Sequence, residues 1–531
     1  MTVAGHLAEG LAEQGVRYVF GIPGGPSLPY IEEFRRCGIE FILTSSETAA
    51  AVMADVTGRI TGIPGVCLAT FGPGAVNLAS GIGGALLDRS PVIALTSEVP
   101  DAMRQRTCQM NIDHQALFRP LTKATWRIYR SQAESAIRNA CVLACREYPG
   151  PVHIGLPSDI AELDPGSEEV LAPPPGDKLP GGDTKVELER MLRKAESPVM
   201  AVGLTAARLS LGPALLEFLE KKPIPVVVTP MAKGLIPPGH PCYSGVLFHA
   251  RSDLLKQVYR DSDLVIGFGY DPVEFNYESW MPDVPLVSIN TVAVDLPVKA
   301  EALQFVGDLR EGLQLADASL GRLSADSLDA VRNAREEFRK AFVSSADGFS
   351  PVTALRVLRE ELPAETIMTA DVGSHLHLLG QYWDPAGPGN LIMTNGWSSM
   401  GFGLPAAIAA QIQHPERPVV CLTGDGGILM CLGELATASR CRLPLTVVVF
   451  ADRQLNLIGL KEGWRGTGNF ASSLYEGDLF GAENILGVKV IRAGEAECLK
   501  LAVRDALNDP GPVVIETVVD PSDYERLILP A

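Results

Sequence analysis

Two acidic turns lie one strand–helix–strand apart in the last third of the chain. Val419 to Leu422 is a short apolar run that stops at Gly424-Asp425-Gly426. Leu443 to Phe450 is a β-branched run that stops at Ala451-Asp452. Between them, Ile428 to Arg440 carries apolar residues at helical spacing. The pattern predicts a βαβ unit, with both turns beyond the carboxyl ends of neighbouring parallel strands. Asp425 and Asp452 then face one crevice. Two carboxylates suit a hard divalent ion such as Mg²⁺, which takes one or two of them and fills its octahedron with phosphate oxygens. Gly424 and Gly426 remove side-chain bulk, so backbone can approach a phosphate and helix-start N–H groups can face it. A lone Gly-Asp-Gly is an ordinary turn. Its specificity comes from standing at a strand end with a second polar turn one βα unit later.

This segment resembles the thiamine diphosphate (ThDP) motif. In that family the Gly-Asp-Gly aspartate, a residue of the second turn and a backbone carbonyl two residues later hold Mg²⁺ on the diphosphate. The resemblance assigns those roles to Asp425, Asp452 and the carbonyl of Gln454. Most members have asparagine where Asp452 stands, while some FAD-free catabolic acetolactate synthases have aspartate. Gly427 joins the diphosphate set by the same likeness.

The stretch from Ser45 to Leu95 resembles the pyrimidine-binding domain of acetolactate synthases, and the family's catalytic glutamate falls on Glu47. Read alone, Glu47 is a first-turn glutamate favoured by the helix dipole. The resemblance gives it chemistry. A carboxyl hydrogen-bonded to N1′ of the aminopyrimidine favours the imino tautomer, whose N4′ takes the proton from C2. A partly desolvated carboxyl suits such relay near neutral pH. Gly74 and Asn77, in the turn Phe71-Gly72-Pro73-Gly74-Ala75-Val76-Asn77, belong to the same cofactor-binding set.

Further roles carry over residue by residue. Gln109 matches a family glutamine near the substrate and joins Glu47 as a catalytic residue. His114 is an alternative proton donor, set against the plainer reading of a solvated loop histidine. Gly25 matches a glycine beside the reacting carbon, although Pro26 follows it. The turn Asp371-Val372-Gly373-Ser374-His375 ends a strand and touches the diphosphate, with Ser374 and His375 as donors. The run Asn395 to Pro405 resembles the segment that bends the cofactor. Met400 is its apolar wedge and the Ser398 carbonyl accepts from the 4′-amino group, a proximity device. A methionine met blind is usually core. Lys461 stands where relatives place a residue over the substrate channel, and pairs there with an anionic acceptor or is simply solvated.

The elements that must position these residues repeat as strand, turn and helix. The 531-residue chain has room for about three or four domains. Its pattern predicts an α/β protein of three doubly wound parallel-sheet domains. They are a pyrimidine-binding domain at 1–162, a Pro/Gly-rich linker at 163–183, a middle domain at 184–340 and a diphosphate-binding domain at 347–531. A charged, solvated helix is expected over Asp326–Phe342. Composition is that of an ordinary globular protein, 46% hydrophobic and 20% charged. A net charge of -18 argues against nucleic acid and against polybasic membrane contact. Ten scattered cysteines without a CxxC pair read as reduced thiols, with Cys141 and Cys145 in core. No signal peptide or spanning run is apparent, so the cytoplasm is expected.

The resemblance covers essentially the whole chain and implies a ThDP/Mg²⁺ carboligase. It decarboxylates a 2-oxo acid, pyruvate first, and adds the two-carbon unit to a second carbonyl, as acetolactate synthases do. The alternatives are a 2-oxo acid decarboxylase, a lyase or synthase with another acceptor such as an acyl-CoA, and a non-catalytic ThDP-binding homologue. Simple decarboxylases often carry an adjacent histidine pair in the first domain, and here His6 is the only histidine before His114. FAD is not expected: no G-x-G-x-x-G follows a middle-domain strand, and Tyr270 to Asn276 resembles the FAD-free catabolic enzymes. Family members place the glutamate and the metal turn of one site on different subunits, which implies a homodimer or a dimer of dimers.

Overall fold

The computed structural model describes residues 1–167, 184–297, 301–321, 323–324, 327–344, 346, 348–468 and 470–529. Most of the expected linker therefore lies outside the described residues. Three α/β units follow one another, each built on its own sheet. The first sheet holds β1 Tyr18–Gly21, β2 Glu40–Leu43, β3 Gly65–Ala69, β4 Val92–Glu98, β5 Ala124–Arg127 and β6 Pro151–Pro157. The second holds β7 Pro198–Val202, β8 Val226–Val228, β9 Tyr243–Val246, β10 Leu264–Phe268, β11 Leu286–Asn290 and β12 Ala302–Val306. The third holds β13 Ile367–Ala370, β14 Leu391–Ile392, β15 Val419–Gly424, β16 Leu445–Ala451, β17 Asn484–Ile485, β18 Val488–Ala493 and β19 Val513–Val518. The strands pair in parallel, apart from the antiparallel edge pair β17–β18. Fully buried β-branched runs such as Val447-Val448-Val449 are what a parallel sheet covered on both faces requires.

Strand order fixes where ligands can enter. The first sheet runs β2-β1-β3-β4-β6-β5 and the third β14-β13-β15-β16-β19-β18-β17. The order reverses between β1 and β3, and again between β13 and β15. Such switch points open a crevice outside the carboxyl ends of the strands. The Gly25 loop and the Phe71–Asn77 turn flank the first. Asp371 and Gly424 flank the second. In the middle sheet, β12-β11-β10-β7-β8-β9, the reversal lies between β7 and β10.

The first and third units share one core. Helix Glu47–Thr61 packs on helix Gly403–Gln413, and their buried alanines belong to a single apolar cluster. Small side chains allow that close approach. Arg59 ties the same contact: it pairs with Asp55 and Asp88 and donates from Nη1 to the Met393 carbonyl at 2.7 Å. Asp88 Oδ1 in turn accepts the Gly396 N–H at 2.8 Å.

Three expectations change. The helix expected from Ile428 to Arg440 breaks at Leu432-Gly433 into Asp425–Cys431 and Glu434–Arg440, and at the break the Gly433 carbonyl also accepts from Ser45 Oγ at 2.7 Å. The helix at Ser327–Ala341 is amphipathic rather than solvated all round, burying Val331 and Ala334. Cys145 is exposed while Cys141 is buried, and all ten thiols are free.

Candidate active site

Both acidic turns open on one crevice. Asp425 begins its helix and is buried. Its Oδ1 accepts from Gly426 N–H at 2.9 Å. Its Oδ2 accepts the N–H of Asp452 at 3.2 Å, that of Arg453 at 2.6 Å, and the Tyr475 hydroxyl at 3.2 Å. The first turn thus holds the second directly. Asp452 Oδ1 accepts the Gln454 N–H at 3.3 Å. Arg453 takes a left-handed φ of 67°, which turns the chain into Gln454, and Gln454 bridges to Ser473. Burial raises the Asp425 carboxyl, and burial together with the Asp425 charge pushes Asp452 up to about 8. Among the described residues no cationic side chain forms an ion pair with either. A buried and a half-buried carboxyl that share one crevice without a counter-ion fit a divalent cation, which would favour their charged forms.

The diphosphate side is equally unsatisfied. The His375 ring lies over Gly424, where a Cβ would meet its Nδ1 and Cε1 at 3.3 Å. His375 Nε2 is buried without a hydrogen-bond partner, and burial pushes the imidazole down to about 4. An anion beside it would supply the missing partner. Ser374 differs from expectation: its hydroxyl is already spent on Asn456 Oδ1 at 2.9 Å. Gly427 packs against Asp371, whose Oδ2 would stand 2.9 Å from an added Cβ.

Met400 is half-buried rather than core. Its Cε would meet a Cβ on Gly426 at 2.9 Å, so it overhangs the Gly-Asp-Gly turn. Ser398 sits beside it in the left-handed region at φ 54°, with its Oγ donating to the Asn395 carbonyl at 2.8 Å. Such strain in a non-glycine residue concentrates at functional segments.

Asp371 organises this segment, and sequence reading gave it no role of its own. It is fully buried; Oδ1 accepts the N–H groups of Val372 at 2.7 Å and Gly401 at 2.9 Å, and Oδ2 that of Gly403 at 3.0 Å. One carboxylate therefore holds the β13 turn against the Met400 loop, while burial raises it to about 6. Asp371→Asn puts an amide N–H against a backbone N–H. We expect a loss of about 1–3 kcal/mol of stability, one buried donor left unsatisfied, read as a lowered denaturant midpoint.

At the other switch point, Glu47 opens its helix and is 8% exposed. Its Oε2 accepts from Asn77 Nδ2 at 3.1 Å. Below it, a Cβ on Gly74 would stand 3.2 Å from Oε1, tight enough to crowd the carboxylate face that glycine leaves open. The turn before Glu47 is fixed from the third unit: Glu434 Oε1 accepts the Ser45 N–H at 3.0 Å. Ser45 and Glu434 are far apart in sequence, and no local pattern signals their pairing.

The remaining residues scatter. Gly25 is exposed with open space beside it. Gln109 is exposed. Lys461 is exposed on helix Asn456–Arg465, and its charge adds to burial in lowering half-buried His377. His114 is not a solvated loop histidine. It begins helix His114–Phe118, is 2% exposed, and burial with the nearby Arg127 charge pushes it down to about 4.

Comparison with known proteins agrees with this layout. Three models of thiamine pyrophosphate enzymes match the chain. The N-terminal TPP-binding domain matches residues 1–117, the central domain 187–315 and the C-terminal TPP-binding domain 371–517. The chain is 29% identical to a probable acetolactate synthase large subunit of Methanocaldococcus jannaschii, over 99% of this chain and 93% of that protein. It is 29% identical to the acetolactate synthase isozyme 2 large subunit of Escherichia coli, over 98% and 96%. It is 28% identical to the acetolactate synthase of Bacillus subtilis, over 97% and 93%.

Proposed function

Because this chain belongs to the thiamine pyrophosphate enzyme family, we propose that it is a ThDP- and Mg²⁺-dependent carboligase that decarboxylates pyruvate and adds the two-carbon unit to a second 2-oxo acid. The observation that carries this reading is the carboxyl pair Asp425–Asp452, without a counter-ion, beside the unpartnered His375 Nε2. Asp425, Asp452 and the Gln454 carbonyl would hold the ion, and His375 the diphosphate. Thiamine diphosphate, when bound, supplies the carbon nucleophile and electron sink that let a 2-oxo acid lose CO₂. The protein does the rest. Glu47 holds and moves a proton at its carboxyl; Asn77 orients that carboxyl; Met400 and the Ser398 carbonyl orient the cofactor; Asp371 keeps their loop in place. Lys461 gives an anionic acceptor a cationic neighbour.

The smallest active unit in this reading is a homodimer, in which Glu47 of one copy serves the metal turns of the other. Apolar side chains beside both half-sites support it: Val76 is 51% exposed and Met430 62%. Among the described residues no helix is long and apolar enough to cross a membrane.

The middle unit supports a flavin-free enzyme. At its switch point the buried Glu274 carboxylate accepts the N–H groups of Leu204 at 3.2 Å and Met231 at 2.9 Å. Tyr270, Tyr277 and Trp280 pack on one another in the same unit. An internal carboxylate therefore takes the backbone donors that a dinucleotide phosphate needs. We expect purified protein without a flavin absorption band and with activity indifferent to added FAD.

The decisive experiment couples a ThDP/Mg²⁺ thermal-shift titration to CO₂ release from pyruvate and mass spectrometry of the product. Binding, CO₂ release and a five-carbon acetolactate-type acid are expected. Acetaldehyde alone would make it a decarboxylase, and binding without CO₂ release from any 2-oxo acid would end the catalytic reading.

A further inference from the structure

A buried histidine network behind the Glu47 pocket has a direction that its chemistry fixes. Gly72 N–H lies 3.3 Å from His114 Nε2, and His114 Nδ1 lies 2.8 Å from Thr96 Oγ1. Thr96 Oγ1 lies 2.8 Å from His153 Nε2, and His153 Nδ1 lies 2.6 Å from Thr125 Oγ1. A backbone amide can only donate, so His114 Nε2 accepts and its proton sits on Nδ1. That proton goes to Thr96, whose hydroxyl hydrogen is then free to serve His153 Nε2, leaving the His153 proton on Nδ1 facing Thr125. Every member has a partner and each link donates the same way, from Gly72 to Thr125. Burial keeps both rings neutral, in agreement with that assignment. His153 is further fixed by stacking on Phe118 at 4.2 Å.

The same place brings Glu98, His114 and His153 within 4.8 Å of one another, a spacing a metal could use. The ligand atoms are already engaged. His114 Nε2 is taken by Gly72 and His153 Nε2 by Thr96. Glu98 binds Gln115 and the Arg127 guanidinium. A cation there would have to displace the arginine and break both histidine bonds.

What the network holds is the start of helix Pro73–Leu87. Gly72 precedes it at φ 67°, and an added Cβ would meet the Met110 carbonyl at 2.6 Å. The first two turns after it carry Gly74 and Asn77, which define the open face and the hydrogen bond of Glu47. We propose that His114 is a positioning residue, which as the Nδ1–H tautomer straps the Gly72 amide to the buried Thr96–His153–Thr125 chain and so sets Gly74 and Asn77 against Glu47. The strap is a property of the protein alone; its effect on turnover rests on the proposed role of Glu47.

The test compares His114→Ala, His114→Gln and Thr96→Val in the full-length protein. Amide hydrogen exchange at Gly72 is read without cofactor, and turnover and pyruvate KM with it. In His114→Ala and Thr96→Val, Gly72 should exchange roughly five- to tenfold faster, the size of one lost hydrogen bond, with kcat lowered and KM kept. His114→Gln, whose side-chain carbonyl can accept from Gly72, should restore both protection and kcat. Unchanged Gly72 protection in His114→Ala overturns the strap. Lost kcat in His114→Gln with Gly72 fully protected overturns it too, in favour of a proton donor. Stoichiometric zinc in the purified protein that His114→Ala abolishes would establish a metal site instead. If Glu47→Gln stays active while the exchange pattern holds, the Glu47 reading fails and the strap survives.

Discussion

Glu47→Gln is expected to lower kcat by roughly 10²–10⁴-fold, the range general acid–base catalysis supplies. The reasoning is local. Glutamine has the volume of glutamate, and its carbonyl still accepts the Asn77 Nδ2 bond that Glu47 Oε2 now takes at 3.1 Å. Gly74 still leaves the opposite face open. What disappears is the ability to hold and release a proton. Thermal stability and ThDP/Mg²⁺ binding should therefore stay close to those of the parent while turnover collapses. A Glu47→Gln enzyme with parental kcat would remove Glu47 from the chemistry. A variant that fails to fold would show that the carboxylate is structural.

Asp425→Asn should weaken ThDP/Mg²⁺ binding at least about a hundredfold, near 2.7 kcal/mol. Two effects add. The substitution removes one of the two charges that fit the cation. It also sets an amide N–H against the donors that converge on Asp425, which are Gly426, Asp452, Arg453 and Tyr475. The second effect destabilises the protein without cofactor as well, by about 1–3 kcal/mol. Asp452→Asn separates the two. Asp452 accepts fewer bonds, and it is held protonated up to about 8 by burial and by the Asp425 charge. Below that pH the cofactor-free protein already carries Asp452 neutral, so the amide removes no charge from it. The cofactor-free protein should be no less stable, and the loss of affinity should be smaller than for Asp425→Asn. Thermal-shift titrations with Mg²⁺ and ThDP measure both quantities. Parental affinity in Asp425→Asn would dismiss the metal site.

Much of this was legible without a structure where the signal is local. A β-branched run ending in a small acidic turn specifies a buried parallel strand and its ligand-facing end, so Asp425 and Asp452 could be found from types and spacing, whereas Glu47 was singled out only by the family resemblance of the stretch around it. The short or less apolar strands β5, β9, β12 and β14 left no such signal. His114 was misread because a polar neighbourhood in sequence says nothing about what packs over it; Thr96 and His153 meet the ring from strands β4 and β6. Ser374 looked available because Asn456 is remote in sequence.

By itself, then, the sequence determined three parallel α/β units, which chemistry the strand-end turns can do, and the family that chemistry belongs to. The units and the turn chemistry follow from side-chain periodicity and from turns of a few residues, which act within one βα unit; the family follows from the resemblance of whole motifs. Only the tertiary structure decided which oxygens and nitrogens remain free. Asp371 became the clasp of the Met400 loop, Glu434 the anchor of the Glu47 turn, Glu274 the acceptor of the Leu204 and Met231 amides and His114 a neutral strap. The physical reason is that a buried polar group must find its partner wherever the fold brings one, and for these residues the partner lies across a sheet or in another domain.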